Sequence, residues 1–360
     1  MRIVLISYSG LADYTIALAN ALAKNDQVML VLPQKSAQPF IENIDDSVDK
    51  ALVDFPRLRN PLNLLYVFKL YYKIKKFNPH IIHFQSGFIW FVFLLPWITK
   101  WPLITTIHDD VPHDGDNVSK NMKWFLPNIL ALQFSSKLIV HGENIKTGLL
   151  LQSGVPENKI VNIIHGAGFF NNNNVKIKRC KNNRVLFFGR ILEYKGLPYL
   201  IKAQPLISQE IPDVKICIAG HGDTLTNYEN LFSDKSRFEI YNHFIESELM
   251  IELFQSSSLV VLPYNEASQS GVVSIAYSFS KPVIATSVGC LPEIVEHDKT
   301  GLIVPPRDEE KLAEAIVALL KDKKKRQRLG GNAYKKVTTE MSWDNVARLT
   351  RDVYLSVVKN

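Results

Sequence analysis

The sequence predicts an α/β protein: two Rossmann-like domains, each a parallel sheet wrapped by helices, with the sheets facing across a cleft. Three observations predict it. The chain has 360 residues, beyond the ~250–300 at which a single core stops growing. Short β-branched runs alternate with helical patterns along its whole length, the grammar of parallel strands joined by crossovers. That grammar pauses once, at residues 171–184, and then restarts.

In the first half, "RIVLIS" reads as a buried strand, "DYTIALANALAK" as an amphipathic helix and "QVMLVLP" as the next strand. "HIIHF", "LITTIH", "KLIVHG" and "KIVNII" follow, each short and ended by a turn or helix signal. The pause "NNNNVKIKRCKNNR" has four consecutive Asn and a basic cluster, which cannot build a core, and is the linker candidate. The second half resumes with "RVLFFG", "VKICIAG", "RFEIYN", "LVVLPY", "PVIATS" and "GLIVP". Domains of 1–172 and 173–342 result. The final "SWDNVARLTRDVYLSVVKN" reads as a helix, and periodicity does not say which domain it joins.

Apolar residues make up 46% and charged residues 21%, a globular balance rather than a disordered one. Cys180, Cys217 and Cys290 form no zinc spacing and no disulfide framework, which fits a reducing cytoplasm. The N-terminus lacks a signal-peptide layout. Residues 87–105 are very apolar, but Pro96 and Lys100 leave fewer than the ~18–20 residues needed to span a bilayer; a buried helix followed by a buried strand is expected. The net charge of +7 gathers at "FKLYYKIKKF" (68–77) and "KDKKKRQR" (321–328). The second reads as a solvated helix face. The first interleaves Tyr, Phe and Leu with Lys as an interfacial helix does, and basic charge suits anionic lipid. Covering the first sheet is the competing use of that segment. No nucleic-acid recognition motif accompanies the charge, so nucleic acid is not an expected partner.

Candidate chemistry lies at the strand ends. In "FFGRILEYKGLPYLIKA", Gly189 ends a strand, Arg190 follows, and Lys195-Gly196 lead into a helix. A planar guanidinium and a compact ammonium there suit a diphosphate together; two solvated surface cations are the alternative. "IAGHGD" places Gly220 and Gly222 around one residue, allowing a tight turn, without the third Gly of a dinucleotide fingerprint. "PYNEASQSGVVS" gathers Glu266, Ser268, Gln269, Ser270, Gly271 and Val272 before a helix. That loop either presents N–H groups and hydroxyls to an anion or simply caps the helix. "SVGCLPEIV" puts Glu293 in a first helical turn, where it complements the dipole. In the first half, Gly10 in "YSGLADYT" lets the backbone approach a ligand, and Asp13 caps or complements a helix start. "TTIHDDVPH" places His108 at a strand end with Asp109, Asp110 and His113 beyond. Their spacing matches no standard zinc signature, so no metal site is expected. "DGD" at 114–116 lacks the strand context of a metal-binding Asp-x-Asp.

Taken in order, these pieces resemble the family 4 glycosyltransferases of GT-B fold. The matching segments are "FFGRILEYKGLPYLIKA", "IAGHGD", "LMIELFQSSSLVVLPY" and "KPVIATSVGCLPEIVEHDKTGLIVPPRD", with a fainter run through "SGLADYTIALANAL", "TTIHD" and "IIHG". The resemblance implies that Arg190 and Lys195 hold the diphosphate of a UDP- or GDP-sugar donor, with Gly10 approaching it. Gly189, Gly220, Gly222, Glu266, Ser268 to Val272 and Glu293 would complete the donor site. His108 would lie near the sugar and the acceptor, and the helix at 343–360 would return to the first domain. Transfer with retention, no metal and no cofactor is implied. One departure stands out. The family's loop carries two Glu eight positions apart, and those positions hold Ala267 and Ile275; "ASQSGV" resembles a bacterial subset with Ala-Thr-Gln-Ser-Gly-Val. The implied function is a retaining glycosyltransferase acting on a glycan or polyprenyl-linked acceptor in bacterial surface polysaccharide synthesis, cytoplasmic and peripheral on the inner membrane face. The missing Glu pair motivates a second reading, a non-catalytic nucleotide-sugar or glycan binding subunit. An epimerase on the same fold is a third.

Overall fold

A computed structural model describes residues 1–7, 11–53, 63–85, 89–108, 129–167, 183–267 and 269–358. Gly10, Ser268, Asp109, Asp110, His113, the "DGD" at 114–116 and residues 171–182 of the linker candidate lie outside them. The chain divides into two compact units: the described residues up to 167 with those from Ser342 onward, and residues 183–341.

The first unit is a seven-stranded parallel sheet of β1 (Arg2–Ile6), β2 (Gln27–Pro33), β3 (Asp49–Val53), β4 (Ile81–Phe84), β5 (Leu103–Ile107), β6 (Lys137–Val140) and β7 (Ile160–Asn162), in the order β3-β2-β1-β4-β5-β6-β7. Residues alternate between two buried layers, as the pleat requires. Ile3 and Leu5 of β1 join one apolar cluster, while Val4 and Ile6 join the other, with Val67, Leu70, Ile74, Leu94, Leu95 and Ile98. The apolar stretch from residue 87 resolves into the helix Ile89–Ile98 and strand β5. Among the described residues no helix is long and apolar enough to cross a membrane.

Helix Ala12–Ala23 is more deeply enclosed than its amphipathic pattern suggests, with Tyr14, Thr15, Ile16, Ala17, Leu18 and Ala19 all buried. Its outer face is covered by the terminal helix Trp343–Val358, which contributes Val346, Ala347, Val353 and Tyr354 to the same cluster. The last helix therefore belongs to the first unit. Gly166 gives the indole of Trp343 a flat seat: a Cβ there would stand 2.5 Å from the ring.

The second unit is a six-stranded parallel sheet of β8 (Arg184–Phe188), β9 (Lys215–Ala219), β10 (Phe238–Tyr241), β11 (Leu259–Leu262), β12 (Val283–Thr286) and β13 (Gly301–Val304), ordered β10-β9-β8-β11-β12-β13. Arg184 is buried at the start of β8, paired with Glu239 and hydrogen-bonded to Ser256, a structural role. The basic stretch at 321–328 lies at the start of helix Lys323–Thr338, where Lys325 and Arg328 pair with Asp298 at the surface. In both sheets the strand order reverses beside the first strand, between β1 and β4 and between β8 and β11. Loops at the carboxyl ends there are where such sheets place ligands.

Candidate active site

In the second unit four loops interlock at the carboxyl ends of β8, β9, β11 and β12. Gly189 follows β8 and donates to Ala219 O at 2.9 Å, while Ile191 N donates to His221 O at 2.9 Å. A Cβ on Gly220 would meet Gly189 O at 1.9 Å, and one on Gly222 would meet Ile191 O at 2.1 Å. These two glycines therefore serve loop-to-loop packing, which spacing alone could not distinguish from an approach to a ligand. The open side of Gly189 faces Val272, the nearest atom to its would-be Cβ at 3.8 Å.

The segment after Arg190 turns back on the loop after β11. Asn265 N donates to Tyr194 O at 2.7 Å. Gly196 has φ +64°, and its missing Cβ leaves room for Pro263 O, which would otherwise lie 1.8 Å away. That close approach carries Lys195 over the ring of Tyr264, with Nζ 3.9 Å from the centroid and 5.2 Å from that of Tyr194. Among the described residues no carboxylate pairs with Lys195, so aromatic faces hold its ammonium in place. Tyr264 is fixed in turn: its carbonyl accepts from Thr286 Oγ1 at 2.6 Å and its hydroxyl lies 3.3 Å from Ser270 Oγ. Arg190 is exposed beside Gly189.

Ser270 is the residue before helix Gly271–Ser278, yet its side chain makes no capping hydrogen bond and turns to Tyr264 instead. Simple capping by Ser270 is thus not what the loop does. A Cβ on Gly271 would meet nothing within 4 Å, so space opens beside the first turn. Gln269 and Val272 are half-buried there, and Glu266 and Glu293 are exposed. Gly289, after β12, has φ +53° and admits Ala267 O to within 1.5 Å of a would-be Cβ, which ties the fourth loop to the third. Ile275, half-buried on the helix, stands where the resemblance calls for a Glu.

The first unit has its own polar constellation, and His108 is only one part of it. His108 follows β5, His141 follows β6 and His165 lies beyond β7, so adjacent strands deliver three imidazoles to one edge. Their centroids are 5.0 Å (108 to 141), 4.9 Å (141 to 165) and 6.2 Å (108 to 165) apart, and Tyr14 packs against all three at 4.9–5.4 Å. Carbonyl oxygens only accept, so their contacts fix the ring protons. His108 Nε2 donates to Gln85 Oε1 (3.1 Å), His141 Nδ1 to Ile163 O (2.8 Å) and His165 Nδ1 to Gly166 O (2.8 Å). Gln85 Nε2 donates onward to His83 Nε2 (3.3 Å), which also accepts from Thr106 Oγ1 (2.7 Å), and His83 Nδ1 donates to Tyr354 Oη (2.6 Å). A directed chain thus runs from His108 to the terminal helix. Burial lowers His83 and His141 to about 3 and His108 well below its ordinary range. All three are neutral at neutral pH, which suits His108 to orienting a ligand rather than carrying charge. His83, Gln85, His141, His165, Tyr14 and Tyr264 escape motif reading; the only hint is a His at the end of several strand patterns.

Comparison with known proteins matches each unit separately. Residues 8–166 match the family described as Glycosyltransferase Family 4, and residues 170–336 match Glycosyl transferases group 1. An uncharacterized glycosyltransferase of Methanocaldococcus jannaschii is 34% identical over 173 residues, covering 47% of this chain and 44% of that protein. The alpha-D-kanosaminyltransferase of Streptomyces kanamyceticus is 27% identical over 177 residues, covering 48% of this chain and 46% of that one. The chain thus spans about half the length of these curated relatives. In fold it is similar over 99% of its length to sucrose-phosphate synthase of Thermosynechococcus elongatus (TM-score 0.75, 19% identity, 99% of that chain). Anabaena HepE solved with UDP is similar to the same extent (TM-score 0.76, 18% identity, 99% of this chain and all of that one). A glycosyltransferase family is thus matched along each half of the chain, residues 8–166 and residues 170–336.

Proposed function

We propose that the protein is a retaining glycosyltransferase that moves a sugar from a nucleotide-diphosphate donor to a glycan or lipid-linked glycan in bacterial surface polysaccharide synthesis. The observation that carries this reading is the ammonium of Lys195, clamped over Tyr264 next to the open first turn of helix Gly271–Ser278. Preorganised positive charge of this kind stabilises a departing diphosphate without reorganising during the reaction. Arg190 adds a donor fork beside Gly189, and the loop before helix Gly271–Ser278 offers Gln269, Ser270, Gly271 and Val272. Asn265 Oδ1 is buried without a hydrogen-bond partner among the described residues, and a donor hydroxyl would satisfy it. Transfer itself then needs no metal, cofactor or dedicated base, and His108, its ring held by Gln85, orients the sugar or acceptor. Relatives include a GDP-mannose-dependent mannosyltransferase, and Anabaena HepE is solved with UDP-glucose, so either nucleotide is a candidate.

The test is a mass-spectrometric screen of UDP- and GDP-sugars, followed by Lys195→Ala and Arg190→Ala. Each is expected to cut transfer at least ~100-fold while the fold persists, in line with loss of a transition-state contact. Near-wild-type turnover in both variants would overturn the assignment. Ile275 favours the second reading, a non-catalytic binding subunit, because it cannot accept a hydrogen bond from ribose. Tight donor binding with neither hydrolysis nor transfer would support that instead.

The acceptor side reads as membrane-associated. Helix Asn63–Phe77 buries Val67, Leu70 and Ile74 but exposes Leu65, Phe68 and Tyr72, the last 70% accessible, and Trp97 packs on Phe68 at 5.7 Å. The buried face covers the sheet, one of the two uses foreseen for this segment, and the exposed face supports the other. An apolar aromatic stripe beside Lys69, Lys73 and Lys76 suits anionic bilayers. Co-sedimentation with anionic vesicles at low salt is expected, with loss in Phe68→Ser/Tyr72→Ser; no sedimentation of the parent protein would end this reading.

A further inference from the structure

The polar chain that ends on His108 begins on the terminal helix, and every group in it but the last is shut off from solvent. Tyr354, His83 and Gln85 are fully buried and Thr106 nearly so, while His108 is half-buried. A substrate cannot touch Tyr354, His83 or Gln85, so whatever they do for the reaction they do through His108. The backbone holds the middle of the chain in place: Gln85 N donates to Ile6 O at 2.9 Å, just past β4, which lies between β1 and β5. Tyr14 meets the His108 ring edge to face at 5.0 Å, which limits its rotation.

The amide of Gln85 is the asymmetric link. It turns an oxygen to His108 Nε2 (3.1 Å) and a nitrogen to His83 Nε2 (3.3 Å). An amide nitrogen only donates and its oxygen only accepts, so His83 Nε2 carries a lone pair and His108 Nε2 a hydrogen. A neutral imidazole has one such hydrogen. His83 therefore keeps its own on Nδ1, where Tyr354 Oη accepts it at 2.6 Å, and Thr106 Oγ1 donates to Nε2 at 2.7 Å. With the hydrogen of His83 on Nε2 instead, the amide would have to turn over, and His108 would end with its hydrogen on Nδ1. The state of one ring thus dictates the state of the other. Burial keeps both rings neutral at neutral pH, so neither escapes the choice by taking a second proton.

We propose that Tyr354, Thr106, His83 and Gln85 are positioning residues that fix His108 as its Nε2–H tautomer, so that Nδ1 offers a lone pair to a hydroxyl of the sugar or acceptor. The inference rests on the transferase reading above for what His108 meets, and it adds a polarity. The group in that place donates a hydrogen bond, as a hydroxyl does; a carboxylate there would set lone pair against lone pair. An imidazole in the wrong tautomer slows a reaction heavily even where its geometry is kept. The terminal helix thereby has a task beyond covering helix Ala12–Ala23: its phenol anchors the far end of the chain.

The experiment uses the full chain labelled with nitrogen-15 histidine, whose long-range proton–nitrogen spectra separate protonated from unprotonated ring nitrogens; His108→Gln identifies the His108 signals. The parent chain should show the His108 hydrogen on Nε2. Tyr354→Phe and Gln85→Met, both close in volume to the parent residues, should each release it into a mixture of tautomers. With the donor found in the screen, each should lower kcat/KM roughly 10-fold or more, and the double variant should lose no more than Gln85→Met alone, because residues acting through one chain are not additive. Among analogues of donor sugar and acceptor with single hydroxyls methylated, one should be disfavoured roughly 10-fold or more by the parent and less so by Gln85→Met. The spectra need no substrate, so an inactive parent chain would tell against the transferase reading and leave the tautomer to be judged by them alone. A His108 hydrogen on Nδ1, or an unchanged tautomer in both folded variants, overturns the proposal. So do additive losses in the double variant, or indifference of the parent to every methylated analogue.

Discussion

His83 links the buried end of β4 to the terminal helix, and its environment makes the first unit acid-sensitive by a calculable amount. The ring is fully buried, takes hydrogen bonds from Thr106 and Gln85 and gives one to Tyr354, and burial holds it near 3 against an ordinary value of 6.5. The folded state therefore stays neutral where the unfolded chain takes a proton. Stability from this group is intact above about pH 6.5 and is lost as pH falls toward about 3. At pH 5 the unfolded chain gains about 2 kcal/mol from protonating this one imidazole, against about 0.2 kcal/mol at pH 7. The perturbation is His83→Gln, which removes the titration. It also loses hydrogen bonds, but that loss lowers both pH conditions alike, so only the difference between them is read. All five tryptophans (Trp90, Trp97, Trp101, Trp124 and Trp343) fall in the first unit's part of the sequence. Tryptophan fluorescence during urea unfolding therefore reports on that unit. The parent chain should lose about 2 kcal/mol more than the variant between pH 7 and pH 5. Equal losses in the two proteins would refute the reasoning.

Two further outcomes are expected. Gly289→Ala, which forces a left-handed alanine against Ala267 O, should destabilise the second unit by more than ~1–2 kcal/mol and weaken donor binding, as thermal shift with UDP-sugar would register. Tyr264→Leu should lower kcat/KM roughly 3–10-fold by freeing the Lys195 ammonium, whereas Tyr264→Phe, keeping the ring, should stay near the parent value.

Much of this was legible from residues alone. A strand buried on both faces reads as a continuous apolar run, so β1, β8, β11 and β12 announce themselves, and glycines mark the loops that follow them. The Arg190–Gly196 loop was legible because cations and a left-handed glycine share one short segment. The imidazole cluster was not, because it exists only after β5, β6 and β7 lie side by side; His141 and His165 each look like ordinary strand-end residues. Nor could periodicity show that helix Ala12–Ala23 is covered on its second side, since the covering residues lie over three hundred positions away. Gly220 and Gly222 carried a true signal of close approach, but spacing could not say that the approaching group is the neighbouring loop.

The return of helix Trp343–Val358 to the first unit means that most of the second unit, from residue 183 to 341, is made before the first is complete. During synthesis, residues 183–341 emerge with everything their core requires, whereas Ile16, Leu18 and their neighbours must wait for Val346 and Tyr354. The unit begun first is thus completed after the second, and helix Ala12–Ala23 keeps an uncovered apolar face until then.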